Sequence, residues 1–254
     1  MTADIVAPAH WRAIDFISDL HLSASHPATV AAWRSHLLHT EADAVFMLGD
    51  LFELWVGDDA MAQPFEAACS ATMRGAARQR HLAFLVGNRD FLLGSRMAAA
   101  SGVQLLEEPV CLQAFGQRTL LCHGDALCVA DVEYQAFRSM VRGADWQRDF
   151  LARPLAQRLA IAADIRGQSE ARKRFDGAVW ADADAALATA WLSQADAQVL
   201  VHGHTHRPGT HALPDGRIRH VLSDWDLDAA PPRAEVLRWS ARGFERLAPA
   251  DAAA

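Results

Sequence analysis

Ala44-Val45-Phe46-Met47-Leu48-Gly49-Asp50 is an unbroken apolar run that closes on a glycine and a carboxylate. Five consecutive apolar residues read as a strand buried on both faces, and Gly-Asp marks the turn that ends it. The same construction recurs on either side. Ala13-Ile14-Asp15-Phe16-Ile17-Ser18-Asp19 reads as a buried strand, followed by a helix from about Ala28 to His39. A helix from about Pro64 to Arg80 leads to His81-Leu82-Ala83-Phe84-Leu85-Val86-Gly87-Asn88, a third strand ending on Gly and a polar residue. Short apolar runs that end in this way and alternate with helices predict an α/β fold.

Further along, Val110 to Cys122 reads as a hairpin around Phe115-Gly116-Gln117-Arg118, delivering His123-Gly124-Asp125 at its end. From about Asp131 to Asp196 the pattern is wholly helical. Strand signal returns at Gln198-Val199-Leu200-Val201-His202, so the helical stretch reads as an insertion. Two hairpins follow, with turns at Pro214-Asp215-Gly216 and Ser240-Ala241-Arg242-Gly243, and the tail Ala248 to Ala254 is expected to fray. Residues 1–254 are therefore expected to form a single domain with a helical insertion at about 131–196.

With 51% hydrophobic and 22% charged residues, the 254-residue chain fits neither a disordered segment nor a membrane bundle. A formal charge of -7 argues against a nucleic-acid surface. No apolar run is long enough for a membrane span, and Met1 to Leu20 lacks the pattern of a signal peptide, so a cytoplasmic protein is expected. Cys69, Cys111, Cys122 and Cys128 form no CxxC pair and read as reduced core thiols. Lys173 is the only lysine among 24 basic residues, a bias that a GC-rich genome produces. It lies in the insertion, where eight basic residues between Arg142 and Arg174 face four acids. Such a stretch attracts phosphate or an anionic lipid surface, or else forms a solvated face with pairs such as Asp149 and Arg153.

The chemistry-bearing residues sit at the carboxyl ends of successive strands, where ligands collect in open α/β sheets. They are Asp19-Leu20-His21, Gly49-Asp50, Gly87-Asn88-Arg89-Asp90, His123-Gly124-Asp125 and His202-Gly203-His204-Thr205-His206. Carboxylate, amide and imidazole donors suit Mn²⁺, Fe²⁺ or Zn²⁺, and the lack of thiols argues against structural zinc. Each element alone is weak: Gly-Asp is an ordinary turn, and a lone His is usually a core residue. In the last element, alternating His side chains on extended backbone would point the same way. Taken in order, the set suggests two metals about 3.5–4 Å apart with Asp50 between them.

Asp-x-His, Gly-Asp, Gly-Asn, a later His and Gly-His-x-His in this order resemble the calcineurin-like metallophosphoesterases, from about Asp15 to Pro208. That resemblance implies a four-layer α/β/β/α sandwich with a two-metal site. Carried across, Asp19, His21, Asp50 and His204 would hold one ion, and Asp50, Asn88, His123 and His202 the other. Gly-Asn-Arg-Asp replaces the usual Gly-Asn-His-Asp. With Gly49-Asp50-Leu51-Phe52-Glu53-Leu54-Trp55 and His202-Gly203-His204-Thr205-His206-Arg207-Pro208, it is similar to the family of UDP-2,3-diacylglucosamine pyrophosphatases. A sugar-phosphate leaving group needs little protonation, whereas a guanidinium can bind phosphate oxygens in two places.

The resemblance implies two Mn²⁺ ions and attack of a metal-bound hydroxide on the α-phosphorus of UDP-2,3-diacylglucosamine. UMP and 2,3-diacylglucosamine 1-phosphate (lipid X) would leave, in the biosynthesis of lipid A. Asn88, Arg89 and His123 would be catalytic. Asn88, Arg89, Asp131, Ser169, Lys173, Asp176 and His202 would contact substrate. The family pattern has Asn at Lys173 and Lys at Asp176, so this chain departs at both, and Lys173 is a candidate for the displaced cationic role. The insertion would act as a lid, with Phe137, Met140, Val141, Trp146, Phe150 and Leu151 lining an acyl chamber or simply packing its helices. A lipid substrate implies peripheral contact with the cytoplasmic leaflet of the inner membrane. The alternatives are a related nucleotide pyrophosphatase or phosphodiesterase with a soluble substrate, and a non-catalytic scaffold of the same fold.

Overall fold

A computed structural model describes residues 3–175 and 182–253, with side chains described outside 168–175 and 253. Two six-stranded sheets face each other. The first contains β1 (Ala3–Val6), β6 (Val110–Ala114), β7 (Gln117–Leu121), β8 (Val199–His202), β9 (Gly209–Ala212) and β10 (Ile218–Val221) in the order β1-β6-β7-β8-β10-β9. The second contains β2 (Ala13–Ile17), β3 (Ala44–Leu48), β4 (His81–Leu85), β5 (Gln104–Leu106), β11 (Val236–Ser240) and β12 (Gly243–Leu247) in the order β12-β11-β2-β3-β4-β5. β2 to β5 pair in parallel, as do β7, β8 and β10.

Alternation along each strand builds the layers. Phe16, Phe46, Leu48, Ala83 and Leu85 of the second sheet meet Leu112, Leu121, Val199 and Val201 of the first in one buried core. The opposite faces of β2, β3 and β4 present Ile17, Val45, Met47, Leu82 and Phe84 to Trp33, Leu37, Cys69, Met73 and Met97. Those partners lie on α1 (Pro27–His39), α2 (Pro64–Ala77) and α3 (Ser95–Ser101). On the far side, Cys111, Leu120 and Leu200 pack against Ala188 and Leu192 of α7 (Ala185–Gln194). The expected α/β/β/α order of layers follows from these three cores.

The hairpin expected around Phe115-Gly116 is a two-residue loop with φ of 50° and 76°, the mirror-image turn that matches strand twist. α4 (Val132–Val141), α5 (Ala144–Leu151), α6 (Leu155–Phe175) and α7 occupy the stretch read as helical, and 176–181 lie outside the described residues. All four cysteines are free and buried. Among the described residues, no helix is long and apolar enough to cross a membrane.

The strands leading to the ligand-bearing loops stop earlier than expected, at Ile17, Leu48 and Leu85. Asp19, His21 and Asp50 take left-handed φ values of 55°, 48° and 51°, which end the pleat. β1, β5 and α3 are short elements that sequence reading missed. Through Ala252 the tail is held in place, against the expected fraying. Ala252 is buried, and its carbonyl accepts from Glu41 N at 3.1 Å and Arg238 Nη2 at 2.7 Å. That guanidinium also closes on buried Asp15, with Nε at 2.7 Å from Oδ1, so the tail is fastened to the outer face of β2. Asp149 pairs with Arg148 at 2.9 Å, and not with Arg153 as expected.

Candidate metal centre

The carboxyl ends of β2, β3, β4, β7 and β8 converge at one edge of the sandwich, and backbone bonds hold the loops together. Asp19 N donates to Gly49 O at 3.1 Å, His21 N to Asp50 O at 3.0 Å, and Gly203 N to His123 O at 2.9 Å. Two glycines permit the close approach. A Cβ on Gly203 would lie 2.1 Å from Asp19 Oδ2, and one on Gly87 would lie 2.1 Å from Asp50 Oδ1. Asp90, wholly buried, accepts from Gly87 N at 2.7 Å and Leu51 N at 2.8 Å. Its carboxylate thereby ties the Asn88 loop to the Asp50 loop.

Ligand atoms of Asp19, His21 and His206 lie within 4.8 Å of one another, and so do those of Asp19, Asp50 and His123. Asn88 joins the second group: its Oδ1 is 3.0 Å from His123 Nε2 and 2.9 Å from His204 Nδ1. His123 Nδ1 faces Leu48 O at 2.9 Å, so that nitrogen carries the proton and donates. Its Nε2 lone pair then points at Asn88 Oδ1 and, at 3.7 Å, at Asp50 Oδ1. Only a proton or a metal cation satisfies acceptors that converge in this way. Buried Asp19 Oδ1 and His21 Nδ1 have only looser ion-pair neighbours, His206 Nε2 at 3.3 Å and Glu53 Oε2 at 3.4 Å. Carboxylate, amide and imidazole donors together fit a divalent transition metal.

The electrostatics make His21 and His204 ready donors, whereas His123 must give up a proton before its lone pair can bind a cation. Burial pushes His21 and His204 down to about 3, keeping both imidazoles neutral and able to donate a lone pair. Burial pushes Asp50 up to about 7, reinforced by the carboxylates of Asp90 and Asp19 and opposed by His123. Burial also works to depress His123, but the carboxylates of Asp50, Asp19, Asp125 and Glu108 outweigh it and lift it to about 9. Asp19 is held well below the usual carboxylate range. Burial alone would raise it, and the hydrogen bond to His206 with the charge of His123 prevails.

Six of the seven expected ligands meet here, and the histidine assignment shifts by two residues. His206 Nε2 is 3.3 Å from Asp19 Oδ1 and its ring is 5.5 Å from that of His21, so His206 stands where His204 was expected. His204 stands with Asn88 and His123, where His202 was expected, its ring 5.1 Å from His123. His202 turns away from both groups. Its Nδ1 donates to Gly203 O at 2.8 Å, and the charged groups acting on its ring are Arg219, Asp182 and Asp19. The reason is backbone conformation. The motif is not extended beyond β8, because His204 and His206 have φ of 64° and 50°.

The expected substrate contacts divide. Arg89 lies beside the centre, with its backbone N donating to Asp50 Oδ1 at 2.8 Å. Its Nη1 is 3.6 Å from Glu53 Oε1, which also takes Arg166 Nη1 at 2.9 Å. Glu53, unnoticed in the sequence as a site residue, reaches His21 Nδ1 at 3.4 Å with its other oxygen. Asp131 caps α4, its Oδ1 accepting from Tyr134 N at 3.0 Å. The side chains of Ser169 and Lys173, and the whole of Asp176, lie outside the described residues.

Of the apolar residues expected to line a chamber, Val141 and Phe150 are buried. Trp146 stacks on Phe150 at 4.7 Å, Phe137 is half-buried, and Met140 and Leu151 are exposed. Among the described basic side chains of the stretch, several make internal ties. Arg142 donates to Gly87 O at 3.0 Å, and buried Arg158 binds Val56 O and Asp59.

Residues 13–208 match the family model for calcineurin-like phosphoesterases. A UDP-2,3-diacylglucosamine hydrolase of Chromobacterium violaceum is 47% identical over 221 residues, covering 84% of this chain and 90% of that protein. One from Bordetella pertussis is 46% identical over 224 residues, covering 85% and 87%. One from Shewanella piezotolerans is 40% identical over 214 residues, covering 83% and 89%. With the family model spanning most of the chain and the ligand loops assembled, the chain belongs to the calcineurin-like phosphoesterases and is a hydrolase.

Proposed function

We propose that the chain hydrolyses the pyrophosphate bond of UDP-2,3-diacylglucosamine to UMP and 2,3-diacylglucosamine 1-phosphate, by attack on the α-phosphorus. The observation that carries this reading is Arg89, set next to Asn88 beside two adjoining groups of metal-ligating side chains. Relatives named for this activity match most of the chain. Asp19, His21, Asp50 and His206 would hold one divalent ion, and Asp50, Asn88, His123 and His204 the other, with Mn²⁺ as the expected metal. When bound, such a pair supplies Lewis acidity and a water nucleophile at neutral pH.

The chain's own residues supply the rest. Arg89 can exchange its loose 3.6 Å pairing with Glu53 for two phosphate oxygens, and a guanidinium fork offers two parallel donors to them. The position that Arg89 occupies offers no acid for an alkoxide leaving group, and a sugar phosphate needs none. Asn88 aims its amide oxygen at the centre. His123 is held in one tautomer by Leu48 O.

α4 to α6, the first helices of the expected insertion, lie on the side of the centre, with Val132, Met140, Leu151 and Leu159 exposed on them. Exposed apolar side chains among arginines suit an acylated substrate and peripheral contact with an anionic leaflet. The test compares kcat/KM for UDP-2,3-diacylglucosamine with that for a soluble UDP-sugar in the presence of Mn²⁺. Preference for the acylated substrate is expected, and faster turnover of the soluble one contradicts the assignment.

A further inference from the structure

α4 is fastened to the centre more firmly than a lid requires, and every fastening meets one half of it. Arg138 Nε donates to Asp125 Oδ2 at 2.8 Å, and its Nη2 donates to Glu108 Oε1 at 2.7 Å. The other oxygen of Glu108 accepts from the backbone N of His123 at 2.8 Å. Tyr134 OH donates to Asp125 Oδ2 at 2.6 Å, and its ring stacks on His204 with centroids 5.9 Å apart. One turn further on, Arg142 donates to the carbonyl of Gly87, the residue before Asn88, and lies over the ring of Phe91. These ties reach the loops of His123, His204 and Asn88. Asp19, His21 and His206 receive none of them.

Asp125 is wholly buried, and Glu108 lies immediately behind His123. A single guanidinium spans both carboxylates, so its removal would leave Glu108 without a cation and Asp125 with only the Tyr134 hydroxyl and Arg142 Nη2 at 3.8 Å. A planar fork fixes direction as well as charge, which a lysine ammonium does not.

We propose that Arg138 is a positioning residue for the second metal position. Closed on Asp125 and Glu108, it holds His123 within reach of Asn88 and Asp50, so that α4 is a fixed wall of the centre and not a moving lid. This rests on the two-ion reading above, and its test needs no substrate. Mn²⁺ binding to the full chain is followed by calorimetry and by electron paramagnetic resonance for Arg138→Ala, Arg138→Lys and Glu108→Gln. Glu108→Gln keeps an acceptor for His123 N and loses the charge that Arg138 binds.

In the wild type, two ions and the resonance of a coupled pair are expected. In Arg138→Ala one ion should stay tight while the second weakens about 10- to 100-fold, the usual range for supports behind a ligand. The spectrum should then change to that of isolated Mn²⁺, with Arg138→Lys and Glu108→Gln intermediate. Two ions held by Arg138→Ala with unchanged affinity would overturn the proposal. So would equal weakening of both ions together with a lowered Tm, which would mark a general structural role. A wild type that binds fewer than two ions overturns the two-ion reading itself, and this is seen without any variant.

Discussion

His206 Nε2 lies 3.3 Å from Asp19 Oδ1, while His202 turns its Nδ1 to the carbonyl of Gly203 at 2.8 Å. The pair shows how the run of three alternating histidines is used: the second and third meet the centre's side chains, and the first spends its Nδ1 on the backbone. His206→Ala should therefore lose one of two bound ions and nearly all turnover, whereas His202→Gln should keep both ions. Metal content of the purified variants decides between the two histidines. Loss of an ion from His202→Gln with retention in His206→Ala would reverse the assignment.

Arg89→Ala should lower kcat about 10²- to 10³-fold with metal content unchanged, the range for removing one donor aimed at developing charge. Arg89→Lys should restore little, because an ammonium cannot bind two oxygens in one plane. Steady-state kinetics checks both. A change confined to KM would make Arg89 a ground-state binding group only.

Gly203→Ala places a methyl group 2.1 Å from both Asp19 Oδ2 and Ser18 Oγ. Asp19 must move, so loss of the ion shared by Asp19 and His206 is expected, with a destabilisation of about 1–3 kcal/mol. Thermal unfolding with and without Mn²⁺ measures both effects, and the stabilisation conferred by metal should shrink.

Acid should destabilise the fold through His36, away from the centre. Burial lowers it from 6.5 to about 4, opposed by the carboxylate of Asp15. The unfolded chain binds that proton first. Stability from this group is therefore complete above about pH 6.5 and is lost as pH falls towards 4, on the order of 3 kcal/mol. Urea unfolding across this window should show a shallower pH slope in His36→Leu, and an unchanged slope would contradict it.

The layers were legible because AVFML and its neighbours are too apolar for anything except a doubly covered strand. Asp19, His21, Asp50, Asn88 and His123 were legible because each closes such a run. His206 was misplaced, because Gly-His-x-His falls on Gly203-His204-Thr205-His206, and three alternating histidines let the pattern slip two residues early. Glu53 and Arg138 were hidden for another reason. Their partners lie far away in sequence, and isolated charges on helices and loops usually face solvent. The tail misled because its anchor is one carbonyl, which any residue could supply.

Hydrolysis of UDP-2,3-diacylglucosamine in ¹⁸O-labelled water, with mass analysis of both products, tests the central claim most directly. The expected result is Mn²⁺-dependent turnover with the label in UMP. Label in 2,3-diacylglucosamine 1-phosphate would contradict attack at the α-phosphorus, and no turnover would contradict the substrate.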